Sequence, residues 1–165
     1  MPTALEHPDT TPEHRGLLGQ AADIIRRIAQ PDLTQLALRI ALAVPFYKSG
    51  ILKWDGFLQP SAITPLLFEN EFALRLPGGP YPFPFPAQSA LAAGVVEVVL
   101  PILLVLGLAT RFSALGLLVM TAVIQLTIPT GWAVHLTWAA MALAVMAWGP
   151  GRLSGDHAVG RITGR

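Results

Sequence analysis

The stretch Leu91-Ala-Ala-Gly-Val-Val-Glu-Val-Val-Leu100 decides the fold, because it is apolar on nearly every side and interrupted by a single carboxylate. A transmembrane barrel strand would alternate apolar and polar positions with period two, so this run reads as helix. It lies inside a longer apolar segment, 88–107, and three further segments, 33–52, 112–128 and 132–148, have similar length and character. A hydrocarbon core about 30 Å thick takes about 20 helical residues, and slightly shorter spans are accommodated by thinning of the bilayer. The expectation is an all-α integral membrane protein, an antiparallel four-helix bundle with short connections at 109–111 and 129–131. Ala92, Ala93, Gly94, Ala114 and Gly116 are small enough to let such helices approach closely.

Composition agrees. Hydrophobic residues are 53% and charged residues 13% of the chain, and the mean hydropathy of +0.55 is too high for a soluble domain of this size. The net charge of +1 gives no basic field for nucleic acid. The absence of cysteine excludes disulfides, thiolate metal sites, iron–sulfur clusters and dithiol chemistry by the chain itself. His135 is the only histidine in a span, which excludes bis-histidine haem ligation within one chain, and Met120, Met141 and Met146 do not converge on it in depth, so no metal site is expected.

Outward from the spans, 1–15 is polar and proline-bearing and reads as a disordered tail. Residues 16–31 place Leu17, Leu18, Ala21, Ile24, Ile25 and Ile28 at helical spacing, with Asp23, Arg26 and Arg27 away from them, the pattern of an amphipathic helix on the membrane surface. Pro31 ends it, and Asp32 with Gln35 supplies capping-box positions for the first span of a membrane domain over 32–157. Residues 158–165 form a second tail. Arg15, Arg26, Arg27, Arg111, Arg152, Arg161 and Arg165 fall on one side of the spans, against Lys53 and Arg75 on the other. The positive-inside rule then places both termini in the cytoplasm of a bacterial-type inner membrane and turns the segment 53–87 outward. In that segment 64–74 reads as a short helix carrying Leu67, Phe68 and Phe72, and the proline-rich tract 76–86 as an extended polyproline strap needing no ladder partner.

Function is sought among the ionisable groups inside the spans, each of which costs at least about 2.5–3.5 kcal/mol to bury. At about 1.5 Å per residue, Lys48, Glu97, Gln125 and His135 fall in the outer half, one from each span, and are the candidate polar pocket or ion pair. Arg39, Arg111 and Asp156 lie toward the cytoplasmic side and read as structural charges. Glu97 is the deepest, and its expected partner is Lys48 or else Arg39. Two readings stay open for it: an ion pair that orients the first two spans, or a proton-exchanging or ligand-binding carboxyl group.

The segments Phe46-Tyr-Lys-Ser-Gly-Ile-Leu-Lys53, Leu67-Phe-Glu-Asn-Glu-Phe72 and Leu106-Gly-Leu-Ala-Thr-Arg111, with Trp132-Ala-Val-His-Leu-Thr-Trp138 and Gly149-Pro-Gly-Arg-Leu-Ser-Gly-Asp156, resemble the DoxX family of small four-span membrane proteins. Gly155 and the proline- and phenylalanine-rich strap 78–86 depart from its pattern. The resemblance implies a membrane accessory subunit of a larger redox or metabolic complex, non-catalytic by itself, with the bilayer and a protein partner or further copies of the chain as partners. It also admits a quinone-associated redox subunit, with quinone as the ligand of the outer polar pocket. A small-molecule transporter, built as an oligomer, is a third reading. No nucleophile or redox centre of the chain's own is evident, and no catalytic residue can be carried over.

Overall fold

A computed structural model describes residues 17–164; the tail 1–15, together with Gly16 and Arg165, lies outside the described residues. The chain divides into two compact units, 1–30 and 31–165. In the first, α1 (Leu17–Ile28) buries none of its residues and gathers Arg26 and Arg27 in its last turn. Leu17, Leu18, Ile24, Ile25 and Ile28 are all exposed on it, as an amphipathic helix made for a surface requires.

The second unit runs α2 (Pro31–Ile51), β1 (Trp54–Gly56), β2 (Gln59–Pro60), α3 (Ile63–Asn70), β3 (Ala73–Leu76), β4 (Gly79–Pro82), α4 (Pro86–Leu106), α5 (Thr110–Thr127), a 3-10 turn (Pro129–Gly131), α6 (Trp132–Trp148) and α7 (Gly155–Ile162). Among the described residues, Pro86–Leu106, Thr110–Thr127 and Pro129–Trp148 are long and apolar enough to cross a membrane. Helix α2 is as long as α4, but Asp32, Arg39 and Lys48 dilute its apolar character. It packs chiefly on α4 and also on α6, while α5 lies between α4 and α6 in contact with both. Leu42, Leu104, Leu117 and Val145, one from each of these helices, are wholly buried where they meet. The ring of Phe46 adds a contact at 5.1 Å to Trp138.

The fold departs from all-α at the segment joining α2 to α4, which holds two antiparallel hairpins. The tract read as an unpaired strap is one of them: Ala73 faces Pro82, Leu74 faces Tyr81, Arg75 faces Pro80 and Leu76 faces Gly79. Strand amides alternate in direction, so Pro80 and Pro82 direct their missing donors to the same open edge and the Tyr81 amide serves the ladder. Helix α3 packs on α4, with Phe68 against Ala90 and Ala93 and the rings of Phe72 and Phe83 at 5.3 and 5.0 Å from Phe68. This end of the unit is called the hairpin end below.

The opposite end is locked by the closing segment. Asp156 accepts hydrogen bonds from the amides of Ala109 and Thr110 at 2.8 and 2.9 Å, filling donors that the first turn of α5 cannot satisfy itself. Its own amide donates to the Gly107 carbonyl at 2.8 Å. The expected capping box at Asp32 does not form: the Asp32 carboxylate instead accepts from the Arg152 amide at 2.7 Å. Residues assigned to a tail from 158 onward continue α7 to Ile162.

Burial pulls the Asp156 carboxyl up, but the Thr110 and Ala109 amides and the nearby Arg39 charge outweigh it and hold the group below its ordinary value. The native state therefore binds fewer protons than the unfolded chain in the acid range, so stability rises with pH there. Thermal unfolding followed by circular dichroism in detergent is expected to show wild-type stability falling as pH drops below about 4. In Asp156→Asn that acid dependence is smaller and the neutral-pH stability lower by about 1 kcal/mol.

Candidate ligand pocket

Gly50 sets the geometry of the hairpin end. A Cβ there would lie 2.8 Å from the carbonyl carbon and oxygen of Glu97, so α2 and α4 touch backbone to backbone at this point and no side chain fits between them. The turn that follows α2 then carries Lys53 over the Glu97 side chain. The Lys53 ammonium donates to Glu97 Oε2 at 2.5 Å, to the Ser49 hydroxyl at 3.0 Å and to the Ser49 carbonyl at 3.3 Å, which uses its three donors. The side chains of Lys53 and Glu97 are 15% and 4% exposed, so the pair is largely withdrawn from solvent.

Lys48, expected to serve Glu97, is exposed and takes no part. The physical reason is azimuth. At 100° per residue Lys48 lies about 160° around the helix from Gly50, on the side of α2 turned away from α4, whereas Lys53, in the turn that follows α2, has its amide on the Gly50 carbonyl at 3.0 Å. Gly50 was the signal in the sequence that marks the contact face.

On the facing wall, His135 of α6 and Gln125 of α5 meet. Gln125 Nε2 donates to the Pro129 carbonyl at 3.2 Å, which leaves Oε1 to accept from His135 Nδ1 at 2.7 Å. Nε2 of His135 then faces away with no protein hydrogen-bond partner among the described residues, an acceptor in the neutral ring. The 3-10 turn makes this close fit: a Cβ on Gly131 would fall 2.6 Å from the His135 ring. His135 also packs on Trp138 at 5.2 Å between ring centres.

Between the two walls lies a cavity of about 500 Å³. Lys53, Glu97 and His135 border it, with Ser49 and Ser89, and most of the remaining surface is apolar, from Phe46, Val96, Met120, Ile124 and Trp138. Phe68, Phe72 and Phe83 form its wall on the hairpin side. Its size falls within the roughly 300–1,000 Å³ of small-molecule sites, and a few polar groups on an apolar lining is their usual make-up. Gln125 acts through His135 and does not line this cavity.

The remaining charged residues lie elsewhere. Arg39 is fully buried and donates to the carbonyls of Leu104 at 3.5 Å, Val105 at 3.4 Å and Leu153. It joins Asp156 at the locked end, whereas Arg111 is exposed beside Gly149. The residues that sequence reasoning missed are Lys53, assigned to the loop, Ser49, and Phe83, hidden in the proline tract. Among the described residues no group of three or more histidine, aspartate and glutamate side chains could hold a metal ion.

The family model described as DoxX matches residues 34–136. A protein of Haemophilus influenzae, itself described as uncharacterized, is 30% identical over 139 residues, covering 77% of this chain and 83% of the relative. No solved structure matches.

Removing one partner of a buried ion pair strands the other charge, at about 3–5 kcal/mol. Lys53→Met is expected to lower stability by an amount of that order in a denaturation titration, and the double variant Lys53→Met with Glu97→Gln to recover a large part of it. Lys48→Met should fall within about 0.5 kcal/mol of wild type.

Proposed function

Because the chain belongs to the DoxX family and carries helices of membrane length, we propose that it is a ligand-binding accessory subunit of a membrane redox complex. Its ligand is a quinone head group, held in the cavity between Lys53–Glu97 and His135. In this reading α2 is the fourth span of an antiparallel four-helix bundle. Its charges are bearable there because Arg39 donates through both terminal nitrogens to carbonyls and Lys48 lies near the end of the helix, where a long stem reaches the interface. Arg111, Arg152 and Arg161 lie toward the locked end of the spans and Lys53 and Arg75 toward the hairpin end, which supports an inner-membrane orientation with both termini cytoplasmic.

The observation that carries the proposal is the cavity and its chemistry. A quinone ring is flat, largely apolar and has two oxygens at opposite edges. The cavity offers polar groups on opposite walls with aromatic and aliphatic surface between them. Lys53 and Glu97 cancel each other's charge, so an uncharged head group is favoured over an ionic one. The acceptors on the two walls suit the reduced, quinol form of the ring: Glu97 would accept from one hydroxyl and His135 Nε2 from the other, while Phe46 and Trp138 pack on its faces. When bound, quinone supplies the two-electron redox chemistry that the side chains lack; the chain's own residues bind, orient and exclude water. A subunit of this kind presents the ligand to a partner that holds the redox centre.

The test is direct binding to the purified chain in lipid nanodiscs, using a soluble ubiquinol analogue without a long tail, kept reduced, and the fluorescence of Trp138 and Trp54 as readout. Saturable quenching is expected, with affinity falling about tenfold or more in Glu97→Gln and in His135→Leu. Absence of saturable quenching in the folded wild-type protein overturns the proposal.

A further inference from the structure

We propose that the pocket takes a ligand with a hydrocarbon tail, and that the tail leaves sideways into the bilayer between α5 and α6. The proposal rests on the pocket reading above and adds the route and the second half of the ligand. A second cavity, of about 320 Å³, lies along the α5–α6 seam and is bordered by Leu118, Ala122, Trp132, Leu136 and Ala139. His135 borders both this groove and the main cavity, and Gln125, its hydrogen-bond partner, borders the groove. The two spaces therefore adjoin across one pair of side chains.

The chemistry of the groove selects its occupant. Thr121, which also borders it, has its hydroxyl engaged by the Leu117 carbonyl at 2.7 Å and so offers the groove its methyl group. Gln125 has its amide donating to Pro129 and its carbonyl accepting from His135, so both ends of the side chain are tied to the protein. Ala122 and Ala139 are the small residues that open the seam; a larger side chain at either would fill it. Trp132 and Leu136 at the border are 63% and 61% exposed, so the groove opens on the outer surface of the helices, the surface that meets lipid when they span a membrane. A water-soluble ligand gains nothing from such a groove, whereas an alkyl or isoprenoid chain buries apolar surface in it. The His135–Gln125 pair stands at the junction of head and tail.

The test compares a ring-only benzoquinol analogue with the same ring bearing a decyl chain, both kept reduced, on the full chain in nanodiscs, with ligand expressed as mole fraction in lipid for the tailed form. Wild type is expected to bind the tailed analogue about tenfold more tightly than the ring alone. Ala139→Phe and Ala122→Phe are expected to remove that advantage and leave ring-only binding unchanged, which also reports that the variants are folded. A tailed analogue carrying a diazirine in mid-chain, photolysed on wild-type protein, is expected to label α5 and α6 peptides containing Ala122, Leu136 or Ala139. Labelling confined to α2, α4 or the hairpins overturns the route, as does an unchanged tail advantage in both variants. If ring-only analogue binds wild type and the tail adds nothing, the route fails and the pocket stands. If neither analogue binds, both fail.

Discussion

A carboxylate set among apolar helices must be given a cation or lose its charge, and the way Glu97 meets this constraint organises the hairpin end of the protein. The partner comes from the end of α2, not from its interior, because Gly50 brings the two backbones together and the next turn passes over Glu97. Once Lys53 is fixed, the chain that follows is fixed with it. The Ser61 amide donates to the Lys53 carbonyl at 2.9 Å and the Trp54 indole to the Gly94 carbonyl at 3.4 Å, so the first hairpin is tied to α2 and α4 together. Helix α3 then starts from a seated position and lays Phe68 on Ala90 and Ala93.

The two ends of the helical unit solve the same problem in different ways. At the locked end the charges are spent on the helix termini: the Arg39 guanidinium takes carbonyls of the last turn of α4, and Asp156 takes the first amides of α5. Cation at a C-terminus and anion at an N-terminus also match the helix dipoles. Arg39 Nε and Thr110 Oγ1 remain buried there without a hydrogen-bond partner among the described residues. At the hairpin end the charges are spent on each other along one wall, and the hydrogen bonds of His135 and Gln125 along another, so the space between them is left unfilled.

The apolar runs were legible because a membrane-length helix imprints its whole length on the sequence, and α4, α5 and α6 differ from the expected spans by only a few residues at each end. Glu97, Gln125 and His135 were legible as candidates because burial cost alone singles out polar groups within such runs. Lys48 was misassigned because ranking by depth treats a helix as a line and discards the angle around it. The second hairpin was hidden by its prolines, whose missing donors exclude a central strand but permit an edge. The capping box at Asp32 failed because α2 already starts at Pro31, which puts Asp32 inside the first turn, where its carboxylate accepts from the distant Arg152 amide.

The neutrality of the Lys53–Glu97 pair bears on what such a protein does. A lone glutamate in the cavity would either take up a proton or attract a cation, and a lone lysine would attract an anion. Paired, with every ammonium donor of Lys53 engaged, the wall is polar without net charge. Opposite it, Gln125 fixes His135 so that one ring nitrogen donates to the protein and the other remains available. A site built this way discriminates by the placement of hydrogen-bonding atoms on an uncharged ring and by the apolar surface around it, and so favours ligands drawn from the bilayer over ions drawn from water. On this chemistry rests the proposal that the chain holds a membrane-soluble carrier.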